Sequence, residues 1–164
     1  MAGPAVAMSN PSNSIEQKLR IEHALKSRSS WFVMVGGLSL VNSVLAMTGA
    51  NVHFIFGLGF TQMVDAMAHQ AGNAGFVLDL IINGIIAAVF ALFWNFARKG
   101  QPWAWYAGIG LYVFDAVILL LFKDVISVAF HAYAFYRMWS GLQLLPVLER
   151  FRRSTATGSV SSSF

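Results

Sequence analysis

The sequence predicts an all-α, polytopic integral membrane protein with four transmembrane helices and one amphipathic segment that is outer-face or re-entrant. Three observations lead there. Hydrophobic residues make up 57% of the 164 positions and charged residues only 11%, with a mean hydropathy of +0.61. That is more apolar surface than a soluble domain of this length can bury. The runs 103–122 and 125–145 are each about 20 residues long, enough at ~1.5 Å per residue to cover a ~30 Å hydrocarbon core. Finally, the lysines and arginines flank apolar segments, as suits an anionic cytoplasmic leaflet rather than nucleic acid.

Residues 1–13 are small and polar with two prolines and are expected to be disordered. Ser14 and Gln17 have the spacing of a capping box, which predicts a short helix to about Arg28. Lys18, Arg20, Lys26 and Arg28 make it basic, and Ile15, Leu19 and Leu25 give it a thin apolar stripe. It is read as a helix lying on the headgroups, with a solvated charged arm as the alternative. Residues 1–29 are thus expected to form a cytoplasmic arm, and nothing in them has the pattern of a cleavable signal. Absent cysteines exclude disulfides and thiolate metal sites.

The membrane-embedded unit is expected over 30–146. The first span, 31–48, carries Gly36, Ser39, Ser43 and Ala46 on one face, where small side chains admit a neighbouring helix. Segment 51–70 is apolar but amphipathic. Leu58, Gln62, Asp65 and His69 share one face, with Phe56, Phe60, Met63 and Met67 roughly opposite. Gly57 and Gly59 break or bend its start. If this segment stays on the outer face, the N-terminal arm, Arg98–Lys99 and the basic C-terminal tail all fall on one side, as the positive-inside rule asks. Both termini are then cytoplasmic, and the host membrane is read as the plasma (inner) membrane.

The second span, 76–97, places Asp79, Asn83 and Ala87 at i+4 intervals. The turn at 100–102 leads into the third span, 103–122, where Ala104, Gly108, Tyr112 and Asp115 share a face. On the fourth, 125–145, Ser127, His131, Ala134, Met138 and Gly141 share another. Only Lys123 and Asp124 separate these two spans, so they form an antiparallel hairpin. Asp115 lies eight positions before Lys123 and His131 seven after Asp124, which puts acid and imidazole at one depth. Residues 147–164 turn basic and then rich in serine, and are expected to form a disordered tail.

Ionisable groups inside a span need a partner or a purpose. The candidate intramembrane cluster is Asp79, Asn83, Tyr112, Asp115 and His131, with Gln62, Asp65 and His69 of the outer segment able to fold over it. Three readings compete. The first is structural: the pairs fix helix register, and the protein is a non-enzymatic scaffold, accessory or interaction subunit, packing with itself or a membrane partner. The second is proton-coupled transport through an Asp–His site, since histidine titrates near neutral pH. The third is a metal or haem site with Asp115 and His131 as candidate ligands, although no ligand-spacing motif supports it. No cofactor is predicted. Arg137 is expected to snorkel towards the cytoplasmic interface, stacked on Tyr133 or Trp139, or to bind a lipid phosphate; Arg98 and Lys99 belong to the same interface.

Overall fold

A computed structural model describes residues 11–47, 58–61, 63–64, 72–121 and 123–160. Their regular structure is entirely helical, with no strand among them. Helix α1 spans Pro11–Met47, α2 Gly72–Ala97, α3 Pro102–Leu121, α4 Val125–Leu142 and α5 Leu145–Val160. A further helical turn begins at Gly59. Two stretches, Val77–Ala97 and Pro102–Leu121, are long and apolar enough to cross a membrane.

Helix α1 joins the short basic helix expected to about Arg28 and the stretch expected as a span from 31 into one element. It runs unbroken for 37 residues, about 55 Å at 1.5 Å per residue. The reason is a single stripe. Leu25, Ser29, Phe32, Val35, Ser39 and Asn42 recur every three or four residues and are all buried, so one face packs continuously and nothing in between breaks the helix. Gly36 brings α1 close to α2: a Cβ there would lie 3.1 Å from Phe90 Cβ and 3.4 Å from Ala87 Cα.

Helix α2 ends at Ala97, and Gly100, with a φ of +77°, closes the turn that follows. The Gly100 N–H bonds Ala97 O at 2.9 Å and the Gln101 N–H bonds Phe96 O at 3.2 Å. These satisfy carbonyls left over at the helix end. Trp105 Nε1 donates to Ala97 O at 3.1 Å from a fully buried ring. At the other end of the α3–α4 hairpin, Lys123 takes a positive φ of 59°. Asp124 then caps α4, accepting from Ser127 N at 3.1 Å and Ser127 Oγ at 2.5 Å.

The fourth span was expected to run to 145, but α4 stops at Leu142 and α5 starts at Leu145. Pro146, in the first turn of α5, lacks the N–H needed to continue α4 and is tolerated where helix N–H groups are free. The expected disordered tail is instead helical through Val160. Leu145 and Leu148 are buried and anchor it, and Arg152 Nη2 reaches Lys99 O at 3.2 Å.

Apolar side chains cover much of the outside as well as the core, and several polar ones are buried. Leu78, Ile81 and Ile85 of α2, Phe114, Leu120 and Leu121 of α3, and Val125 and Ile126 of α4 are exposed, while Asp79, Asn83, Asp115, Ser127 and His131 are buried. Gly84 of α2 has nothing within 4 Å of an added Cβ. Charge is polarised along the bundle. The Arg28–Ser140 and Arg152–Lys99 contacts put the N-terminal half of α1, the α2–α3 turn, the end of α4 and α5 at one end. Every lysine and arginine except Lys123 lies in that half.

Candidate functional site

Asp115 projects from the buried face of α3 and His131 from that of α4. His131 Nε2 lies 2.9 Å from Asp115 Oδ2, and His131 Nδ1 lies 2.8 Å from Ser127 O. A carbonyl only accepts, so Nδ1 carries a hydrogen. Oδ2 also accepts the Gly59 N–H at 2.8 Å, and Oδ1 accepts the Phe60 N–H at 2.8 Å. Two acceptors cannot face each other at 2.9 Å, so one proton lies between Nε2 and Oδ2. The pair is either imidazolium with carboxylate or imidazole with carboxylic acid. Both forms are neutral overall, which suits a low-dielectric interior.

The carboxylate therefore ties three segments together: α3, α4 and the turn that starts at Gly59. That turn has no serine, threonine, aspartate or asparagine just before Gly59 to cap it, only Ile55 to Leu58. Its leading N–H groups are satisfied from elsewhere. The Leu58 N–H donates to Ser39 Oγ of α1 at 2.9 Å, and Ser39 Oγ in turn donates to Val35 O at 3.1 Å. Thr61 Oγ1 donates to Leu58 O at 2.7 Å. Gly59 packs so closely on α3 that a Cβ would meet Leu119 Cγ at 2.6 Å. Leu58 and Thr61 are buried, whereas Phe60 and Met63 are exposed. Gln62, Asp65 and His69 lie outside the described residues.

Tyr112 stacks its ring on His131, with centroids 4.5 Å apart and planes 10° apart. Its buried hydroxyl has no hydrogen-bond partner among the described residues. Asp79 and Asn83 form a second pair one turn apart on α2, Asn83 Nδ2 donating to Asp79 Oδ1 at 3.0 Å. Antiparallel packing of Gly36 against Ala87 brings that pair to the level of the buried Asn42.

As a metal site the arrangement is poor. Both ring nitrogens of His131 and both oxygens of Asp115 already have protein partners. Among the described residues no three His, Asp or Glu side chains converge.

At the basic end, Arg98 lies over Trp94 at 4.4 Å and Lys99 over Phe96 at 5.3 Å. Arg137 does stand beside Tyr133, donating to its hydroxyl at 3.4 Å, but its guanidinium lies over Trp31, 5.5 Å from the ring centroid. Trp139 stacks on Phe135 instead. Sequence reasoning missed the acceptors of the Gly59 turn. The signal was available: a helix start at glycines with no local cap needs a distant one.

Compared with known proteins, the chain matches no family model, no curated protein and no solved structure. Its function rests on the chemistry of its own residues.

Proposed function

We propose that this chain is a four-span membrane protein of the plasma (inner) membrane, with both termini cytoplasmic, acting as a non-enzymatic structural or interaction subunit. The observation that carries this reading is the Asp115 carboxylate. Its oxygens are taken up by two backbone N–H groups and one imidazole of the same chain, inside a bundle whose outward faces are apolar. A group so fully engaged serves architecture. The four spans are the 31–47 part of α1, α2, α3 and α4, with the Gly59 turn tucked into the half opposite the basic end. Outward-facing Gly37, Gly84 and Gly110, where an added Cβ meets nothing within 4 Å, leave room for a second copy or a partner helix to approach.

Reporter fusions test the topology: junctions after Thr48, Gly75 and Gly100 should read outside, outside and inside. Proteoliposomes test the role. Sealed vesicles carrying the protein should show no proton or solute flux across a pH gradient.

A second reading is favoured by the proton held between Nε2 and Oδ2. In a proton-coupled transporter that proton would exchange with the outer solution, and the Gly59 turn would move as the carboxylate changed state. Flux abolished by Asp115→Asn in a still-folded protein would establish this reading and overturn the first.

A further inference from the structure

We infer that the cleft between the N-terminal half of α1 and Arg137 of α4 is a binding site for the headgroup of an anionic phospholipid. This inference rests on the membrane reading above and goes beyond it. The cleft has a volume of about 740 Å³ and is lined by α1 residues from Glu16 to Arg28 together with Arg137. Arg20, Lys26, Arg28 and Arg137 face it against two glutamates, Glu16 and Glu22, so its balance is cationic.

Arg137 is the lining residue contributed by α4. It sits five residues before the end of α4, about 7–8 Å along the axis, the depth at which a snorkelling cation meets phosphates. The guanidinium is held on one side by Trp31 and the Tyr133 hydroxyl. Its Nε is buried without a hydrogen-bond partner among the described residues. A guanidinium held in place on one side is a match for a phosphate, which accepts two parallel N–H bonds.

The surroundings supply the rest of a lipid. Trp31 packs on Tyr133 and Phe130, with centroids 5.3 and 6.5 Å away. This aromatic wall lies on the bilayer side of Arg137, where acyl chains descend. Leu19, on the cleft, is exposed. Arg20, bonded to Glu16 at 2.6 Å, and Lys26 stand at the rim. Arg20 is offset by Glu16, so Lys26 is the further cation that favours an anionic over a zwitterionic headgroup.

The test uses the full chain in phosphatidylcholine bilayers and spin-labelled lipids, reading the preference for phosphatidylglycerol over phosphatidylcholine. Wild type should prefer phosphatidylglycerol, and Arg137→Gln should reduce that preference about fivefold, the effect of one interfacial cation. Arg98→Gln with Lys99→Gln, at the same end but outside the cleft, should leave it nearly unchanged. If Arg137→Gln does not fold, the exposed rim pair Arg20→Gln/Lys26→Gln carries the same expectation.

Excess inorganic phosphate at constant ionic strength should not displace the lipid; displacement would assign the cleft to a soluble phosphate compound and overturn the lipid. Equal loss from the cleft and the Arg98/Lys99 variants would reduce the effect to general surface charge and overturn a built site. Preference for phosphatidylethanolamine would overturn the anionic assignment. Extraction of the wild-type protein from vesicles by alkaline carbonate would instead count against the membrane reading itself.

Discussion

His131 Nε2 and Asp115 Oδ2 stand 2.9 Å apart with a single proton between them, because the other imidazole nitrogen is committed to Ser127 O. Removing either partner strands the other in the interior, and for Asp115 it also releases the Gly59 and Phe60 N–H groups.

Asp115→Asn should therefore lower stability by about 1–3 kcal/mol, the cost of leaving a buried hydrogen-bonding group unsatisfied. The amide has one acceptor oxygen where the carboxylate has two, so one of the two N–H groups loses its partner. Denaturant titration in mild detergent, followed by helix signal, measures this. An unchanged midpoint would show that the Gly59 turn is held without Asp115.

Asp124 gives a pH dependence at the α4 cap. The Ser127 hydroxyl first, and the Ser127 N–H second, hold its carboxyl below the usual aspartate range. With the folded pKa below the unfolded value of ~3.9, the contribution is complete above that value and is lost as pH falls through the folded pKa. Asp124→Asn keeps an acceptor but does not titrate. The stability difference between wild type and Asp124→Asn should be constant at neutral pH and shrink as pH drops below about 4. Asp124→Ala should cost about 1 kcal/mol at neutral pH.

Glycines sort by what surrounds them. A Cβ at Gly141 would run into the Trp105 ring and Arg28 Cβ, whereas one at Gly110 meets nothing within 4 Å. Gly141→Ala should destabilise by about 1–3 kcal/mol through overpacking. Gly110→Ala should be neutral or slightly stabilising, since alanine is the better helix former. Thermal unfolding of both variants in one detergent decides the ranking.

The chain's lack of cysteine makes it a clean background for labelling. A cysteine at Lys123 should react with an impermeant thiol reagent added outside intact cells. Cysteines at Arg98 and Arg153 should react only after the membrane is opened. Labelling of Arg153→Cys in intact cells would place α5 on the outer face and contradict the four-span arrangement.

The faces of α3 and α4 were legible in the sequence because each carries small residues and one ionisable group at helical spacing. The two-residue link then set their common depth, and Asp115 does meet His131. The continuity of α1 was hidden because its charged residues all lie at or before Arg28, a shift in composition that reads as a boundary. Ser29, fully buried, reads as a polar surface residue when composition alone is weighed. The helix over 151–160 was hidden by its serine and threonine content, although Leu145 and Leu148 anchor the preceding turn. The backbone acceptors of the Gly59 turn were the least visible, since pattern matching finds side chains at local spacing and this cap comes from another helix.

That distant cap imposes an order of construction. The Gly59 and Phe60 amides lie 56 and 55 residues ahead of the aspartate that receives them. During synthesis these amides emerge long before their acceptor, and the imidazole that completes the pair emerges later still. The Gly59 turn can reach its final seat only once the closing hairpin has been delivered beside it. That turn thus waits for the second half of the chain, and a chain cut short before α3 would lack the carboxylate that caps it.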